Sequence, residues 1–159
     1  MGEGKITSAF ALAIAALAVL STVVARADDG GVSGRWLTEK RNGIVLIQPC
    51  DNSICGWIDW LKDPIVEGVP AHDAHNPDPK LRKRPICGLP ILFGFAHDAA
   101  DPRRWIEGRI YDPESGDTYH ANITVQDANH LRLRGYVGIP LLGESQIWTR
   151  MPPDALKCS

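Results

Sequence analysis

Apolar side chains along most of this chain either alternate with polar ones or gather into short runs that Gly, Pro, Asn or Asp soon interrupt. A helix needs apolar positions three and four apart over a longer stretch, and that spacing is scarce here. Short, punctuated runs are the pattern of β-strands. They predict strands near 34–40 (GRWLTEK), 43–49 (GIVLIQP), 55–61 (CGWIDWL), 104–112 (RWIEGRIYD), 117–125 (DTYHANITV), 130–137 (HLRLRGYV) and 144–150 (ESQIWTR), with an eighth at 89–95 (LPILFGF). The clearest turn is YDPESGDTY, where Pro113 presets the backbone and Gly116 supplies a left-handed residue between two apolar strands. QDANH at 126–130 and RNG at 41–43 come next.

Seven or eight sequential antiparallel strands must either close on themselves or stack as two sheets to protect their edges. The expected fold is all-β: a single antiparallel β-barrel with one long loop insertion, residues 62–88. About eight strands make a lumen that side chains fill or that holds one small ligand. A connection as long as 62–88 is usually a functional lid or an excursion with its own packing.

Alternation also says which side chains face inward. Tyr119, Ala121, Ile123 and Val125 form one apolar row, and Leu131, Leu133, Gly135 and Val137 another; both are expected inside. GRWLTE sets Gly34 and Trp36 at the first strand, and QIWTR sets Arg150 at the end of the last. This is similar to the lipocalin arrangement, in which a G-x-W tryptophan plugs the closed end of the barrel and an arginine from the final strand packs across it. If Arg150 reaches Trp36, then Trp148, Gln146 and Glu144 share its face and give the lumen a polar wall, unless a bulge shifts the phase.

The first 27 residues change the setting. Lys5 precedes an apolar run from about Ala9 to Val24, and the small residues Ala25 and Ala27 follow. This reads as a secretory signal peptide cut before Asp28. Residues 28–159 then form one domain with 15 basic and 18 acidic side chains. Net acidity argues against general nucleic-acid binding. All four cysteines lie in the exported part, where oxidation is the default. Cys50 and Cys55 flank a turn-rich segment and are expected to bridge a hairpin; Cys87 is left free or pairs with Cys158. A zinc site using His72, His75 and His97 is the rival reading, and no metal or cofactor is expected.

Several separated motifs together resemble the exported bacterial family catalogued as domain of unknown function 2147. They are Cys50 with CG at 55–56, NPDPKLRKRPICG at 76–88, GRIYDPESGDTY at 108–119 and RGYVGIPLLGESQIWTR at 134–150. The resemblance spans Gly34 to Arg150 and implies a lipocalin-like barrel in the envelope of a Gram-negative bacterium, with no established activity to carry over.

The loop DAHNPDPKLRKRPICG (73–88) holds the most concentrated polar chemistry. As a lid it would offer Arg82, Arg84, Lys80 and Lys83 to an anionic head group, with Asp73, Asn76 and Asp78 shaping the turn or accepting hydrogen bonds. Tyr119 and Arg134 are further ligand-binding candidates from the strands. As structure alone, Asn76 and Asp78 would make Asx turns, and Arg82 or Arg84 would pair with Asp73. An EF-hand is excluded, because the loop lacks its glycine and closing glutamate. No nucleophile, phosphate-loop or metalloprotease motif is present, and a set such as Glu107, Asp112 and His120 is within reach of any β-protein of this size. The expected function is binding of a small, partly apolar ligand, with an anionic end as the option the loop suggests, by a monomeric periplasmic barrel. The alternative is a structural or interaction module that meets an envelope component.

Overall fold

The computed structural model describes residues 1–2 and 29–158. The signal-peptide reading therefore falls, Met1 and Gly2 aside, outside the described residues. The strands are β1 (Gly34–Leu37), β2 (Gly43–Cys50), β3 (Ser53–Leu61), β4 (Ile65–Val66), β5 (Val69–Pro70), β6 (Pro90–Phe93), β7 (Ala96–His97), β8 (Arg104–Asp112), β9 (Asp117–Val125), β10 (His130–Tyr136) and β11 (Glu144–Met151). The described residues contain no α-helix, only a 3₁₀ turn at Pro140–Leu142.

Sheet order runs β6-β3-β2-β1-β11-β10-β9-β8-β7, and a further pairing of β6 with β8 closes the ring. Eight antiparallel strands thus form a barrel without free long edges, and β7 adds a short ninth strand on β8. Each expected strand is present. β1 stops at Leu37 rather than residue 40, because Thr38 and Asn42 bond to each other and fold the chain into the turn where Arg41 takes φ 57°.

The inward rows lie as alternation predicts through Gly135, with Ala121, Ile123, Leu131 and Leu133 buried, whereas Val137 falls beyond the end of β10 and is exposed. One break in register falls in β8 between Trp105 and Gly108, where Glu107 has φ 60° and its N–H donates to Asn122 Oδ1. The bulge sets Gly108 against Phe95, whose ring a β-carbon there would meet at 2.3 Å. Only glycine leaves room for that aromatic side chain in the core.

One end of the barrel is shut by Trp36, fully buried, whose indole N–H donates to the Val32 carbonyl at 2.8 Å. The Arg150 guanidinium lies over the Trp36 ring, 4.0 Å from its centre. It also donates to the carbonyls of Ala128 (2.6 Å), Ser33 (2.9 Å) and Gly31. The glycine of G-x-W now has a cause: Gly34 sits at φ 137°, and a β-carbon there would lie 2.5 Å from Arg150 Nη1. Burial lowers the Arg150 pKa, and the charge of Asp29 partly offsets this; an arginine so placed remains a cation.

Two disulfides complete the frame. Cys50–Cys55 spans the β2–β3 hairpin, and Cys87–Cys158 ties the end of the long loop to the C-terminal tail. Arg35, buried beneath that tail, donates to Asp59 at 2.6 Å and to the carbonyls of Ala155 (2.6 Å) and Leu156. By loop-closure entropy the 71-residue span of Cys87–Cys158 contributes about 4 kcal/mol. Disulfides at both positions, with no free cysteine among the described residues, are what an oxidising environment produces.

Candidate functional site

Opposite the Trp36 end, the barrel stays open as a cavity of about 720 Å³. Val45, Ile58, Ile91, Ile110, Leu133 and Trp148 form its apolar wall. The last strand adds Gln146 and Glu144, so the polar wall tied to Arg150 reaching Trp36 is present. Gln146 Oε1 accepts the Trp148 indole N–H at 2.9 Å, which holds both side chains on the inner face. Gly135 pairs directly with Glu144 on one side and Ala121 on the other. A β-carbon at Gly135 would meet nothing within 4 Å, so the missing side chain is part of the lumen.

The mouth is built from turns. Asp112, Pro113 and Glu114 of the β8–β9 turn face Lys40 and Asn42 of the β1–β2 turn. Glu114 accepts from Lys40 Nζ at 3.0 Å and from Asn42 Nδ2 at 2.8 Å, latching the two turns together. Asp63, Val66, Ala71 and Ile86 of the long loop form another side, and Val137, Leu142 and Gly143 a third. Around those last residues the chain is apolar and bare, with Val137 71 % and Leu141 81 % exposed.

The long loop owes its shape to one buried carboxylate. Asp73 is fully buried and accepts the Tyr111 hydroxyl at 2.5 Å, Asn76 Nδ2 at 2.8 Å and Arg84 Nε at 2.8 Å. Burial opposes its ionisation most strongly, but the three donors and the Arg84 charge together outweigh this and hold the pKa below the usual carboxylate value. Tyr111 moves the other way, pushed up by burial and then by its bond to the Asp73 anion. Since Tyr111 lines the lumen, Asp73 fixes both the loop and a piece of the cavity wall. The loop also seats on the β8–β9 turn: Gly116, at φ 81°, would bring a β-carbon to 2.0 Å from the His75 carbonyl oxygen.

The remaining candidates are placed by their bonds. Asn76 Oδ1 accepts the Asp78 N–H and Asp78 Oδ1 the Lys80 N–H, which are Asx turns. Arg82 Nε donates to the Asn76 carbonyl at 2.7 Å, and Arg84 to Asp73. Arg134 lies on the outer face and donates to the carbonyls of Pro140 and Leu141 and to Ser145 Oγ, pinning the bare 137–143 segment. Of the seven ligand-binding candidates, Tyr119 alone lines the lumen. The structure adds Glu144, Gln146, Trp148, Tyr111 and Gly135. The first three follow from the phase of Arg150, but nothing short of the folded loop marks Tyr111. Among the described residues no group of three His, Cys, Asp or Glu side chains is arranged to hold a metal ion.

A closed eight-stranded antiparallel barrel, shut at one end by tryptophan under arginine and open at the other, defines a lipocalin-like protein. A family model described as "Uncharacterized protein conserved in bacteria (DUF2147)" matches residues 34–150, and the chain belongs to that family. Among solved structures, the chain is similar to protein HP1028 from the human pathogen Helicobacter pylori, described as belonging to the lipocalin family. The two share 21 % identity with a TM-score of 0.66, over 77 % of this chain and 84 % of that one, a likeness of fold. No curated protein matches the sequence.

Proposed function

We propose that this protein binds a small, partly apolar molecule in the lumen of its barrel, within the bacterial envelope. The carrying observation is the open cavity of about 720 Å³, which falls in the ~300–1,000 Å³ range of small-molecule sites and combines an apolar wall with a few convergent polar groups. Its apolar depth suits a hydrocarbon or ring system, and its polar mouth suits a head group. Paired cysteines support residence in the periplasm.

Gly135 offers a clean test. Its backbone angle is one that any residue adopts, and a β-carbon there meets no neighbour, so Gly135→Phe directs a ring into the lumen from an unstrained position. Glycine inside a strand also costs about 0.5–1 kcal/mol relative to alanine, so the variant is expected to fold at least as well. Titration with the neutral fluorophore N-phenyl-1-naphthylamine is expected to show saturable binding to the native protein and at least hundredfold weaker binding to Gly135→Phe. Equal binding by both would mean that the probe sits elsewhere. A second reading, docking of a protein partner, draws support from the bare apolar side chains at Val137, Ile139, Leu141 and Leu142, and it gains if the lumen takes no probe.

A further inference from the structure

We infer that the lumen selects cationic or hydrogen-bond-donating amphiphiles over anionic ones; the inference rests on the lumen being the binding site. Its first support is the disposition of charge around the cavity. Four carboxylates, Asp63, Asp112, Glu114 and Glu144, line it against one ammonium, Lys40. That ammonium is already committed to Glu114 at 3.0 Å. The cations of the long loop do not compensate: none of Lys62, Lys80, Arg82, Lys83 and Arg84 lines the cavity, and Arg82 and Arg84 are spent within the loop.

The second support is space beside an unused acceptor. Asp112 accepts from the Glu114 N–H and the Ser115 hydroxyl inside its own turn. Glu144 and Asp63 make no side-chain hydrogen bond or ion pair with the described residues. Glu144 sits on the strand position facing Gly135, where the absent side chain leaves the lumen open. A head group at that height meets a carboxylate on one wall, the Gln146 amide one step deeper, and the Tyr119 ring on β9. An alkylammonium or a protonated ring nitrogen finds there an opposite charge and, in the Glu144 carboxylate, a free acceptor, the Gln146 oxygen being already engaged by the Trp148 indole. A carboxylate or phosphate finds like charge and no free cation. A cleft with low-dielectric walls focuses such a field, although water at the open mouth weakens it.

The test is competition at pH 7 between lumen-bound N-phenyl-1-naphthylamine and three ten-carbon amphiphiles that differ only at the head: decylamine, decanol and decanoate. Decylamine is expected to displace the probe at about tenfold lower concentration than decanoate, with decanol between them, and added salt is expected to narrow the gap. In the double variant Glu144→Gln, Asp63→Asn the gap is expected to shrink to about threefold or less. Decanoate matching or beating decylamine would overturn the inference while leaving the lumen as a binding site. A gap unchanged in the double variant would overturn the role of these two carboxylates. Displacement by none of the three, with no binding of the probe itself, would overturn both readings together.

Discussion

Replacing Asp73 with alanine is expected to lower the stability of the fold by about 3 kcal/mol and its Tm by on the order of 10 °C. The side chain is fully buried and has three donors, so its loss strands the Tyr111 hydroxyl and the Asn76 amide away from water. Arg84 is hurt less, since its side chain keeps one-third of its surface in solvent, and Arg84→Ala is expected to cost clearly less than Asp73→Ala. The same carboxylate gives the stability a pH dependence whose sign is determined. Its folded pKa is depressed, so its contribution is present in full above the unfolded value of about 3.9 and is lost as pH falls through the folded value. Thermal melts carried from pH 7 down to pH 2 are expected to show an acid-side loss beginning near pH 4 that Asp73→Asn reduces. An acid limb of unchanged depth in that variant would place the proton elsewhere.

Removing the arginine that shuts the barrel comes next in size. Arg150→Ala gives up stacking on Trp36 and leaves three carbonyls, those of Ala128, Ser33 and Gly31, without their donor. Charge-assisted bonds and a cation–π contact at a half-sheltered site together amount to about 3 kcal/mol. Arg150→Lys is expected to recover little, because an ammonium cannot fork to three carbonyls while lying flat on an indole. Gly34→Ala acts on the same contact from the other side, pressing a β-carbon onto Nη1. The two changes therefore couple, and the double variant Gly34→Ala, Arg150→Ala is expected to lose less than the sum of the singles in denaturant unfolding. Strict additivity would mean that glycine is required there by its φ of 137° alone.

How far the sequence could be read follows from which features obey a period. The eight barrel strands show themselves by alternation or by short apolar runs bounded by turn residues, and the inward rows of β9 and β10 follow from alternation. The hairpin of β4 and β5 and the strand β7 were not foreseen, because two-residue strands carry no period. Cys50–Cys55 came from hairpin geometry, whereas Cys87–Cys158 depends on where the tail lies and was one of two open outcomes. The loop at 73–88 marks the limit most clearly. Its composition allowed both a cationic lid and a self-contained knot, and the direction of a loop side chain has no periodicity to reveal it. Folding turns Arg84 onto Asp73 and presents Ile86, with Ala71 from just before the segment, to the lumen instead. The polar wall at Glu144 and Gln146 was legible only through a conditional step, the reach of Arg150 to Trp36. That the lumen remains open beside them depends on packing across the barrel, which no single strand reports.

The proposed ligand site is the open lumen, and not the outer face of the long loop. Amide chemical-shift mapping on ¹⁵N-labelled protein titrated with decanol addresses it residue by residue. Saturable shifts gathered at Ile58, Leu133, Gly135, Gln146 and Trp148, with those of Lys80 to Lys83 unmoved, are the result expected. Shifts confined to the 76–84 segment, or no saturable shift at all, would contradict the claim.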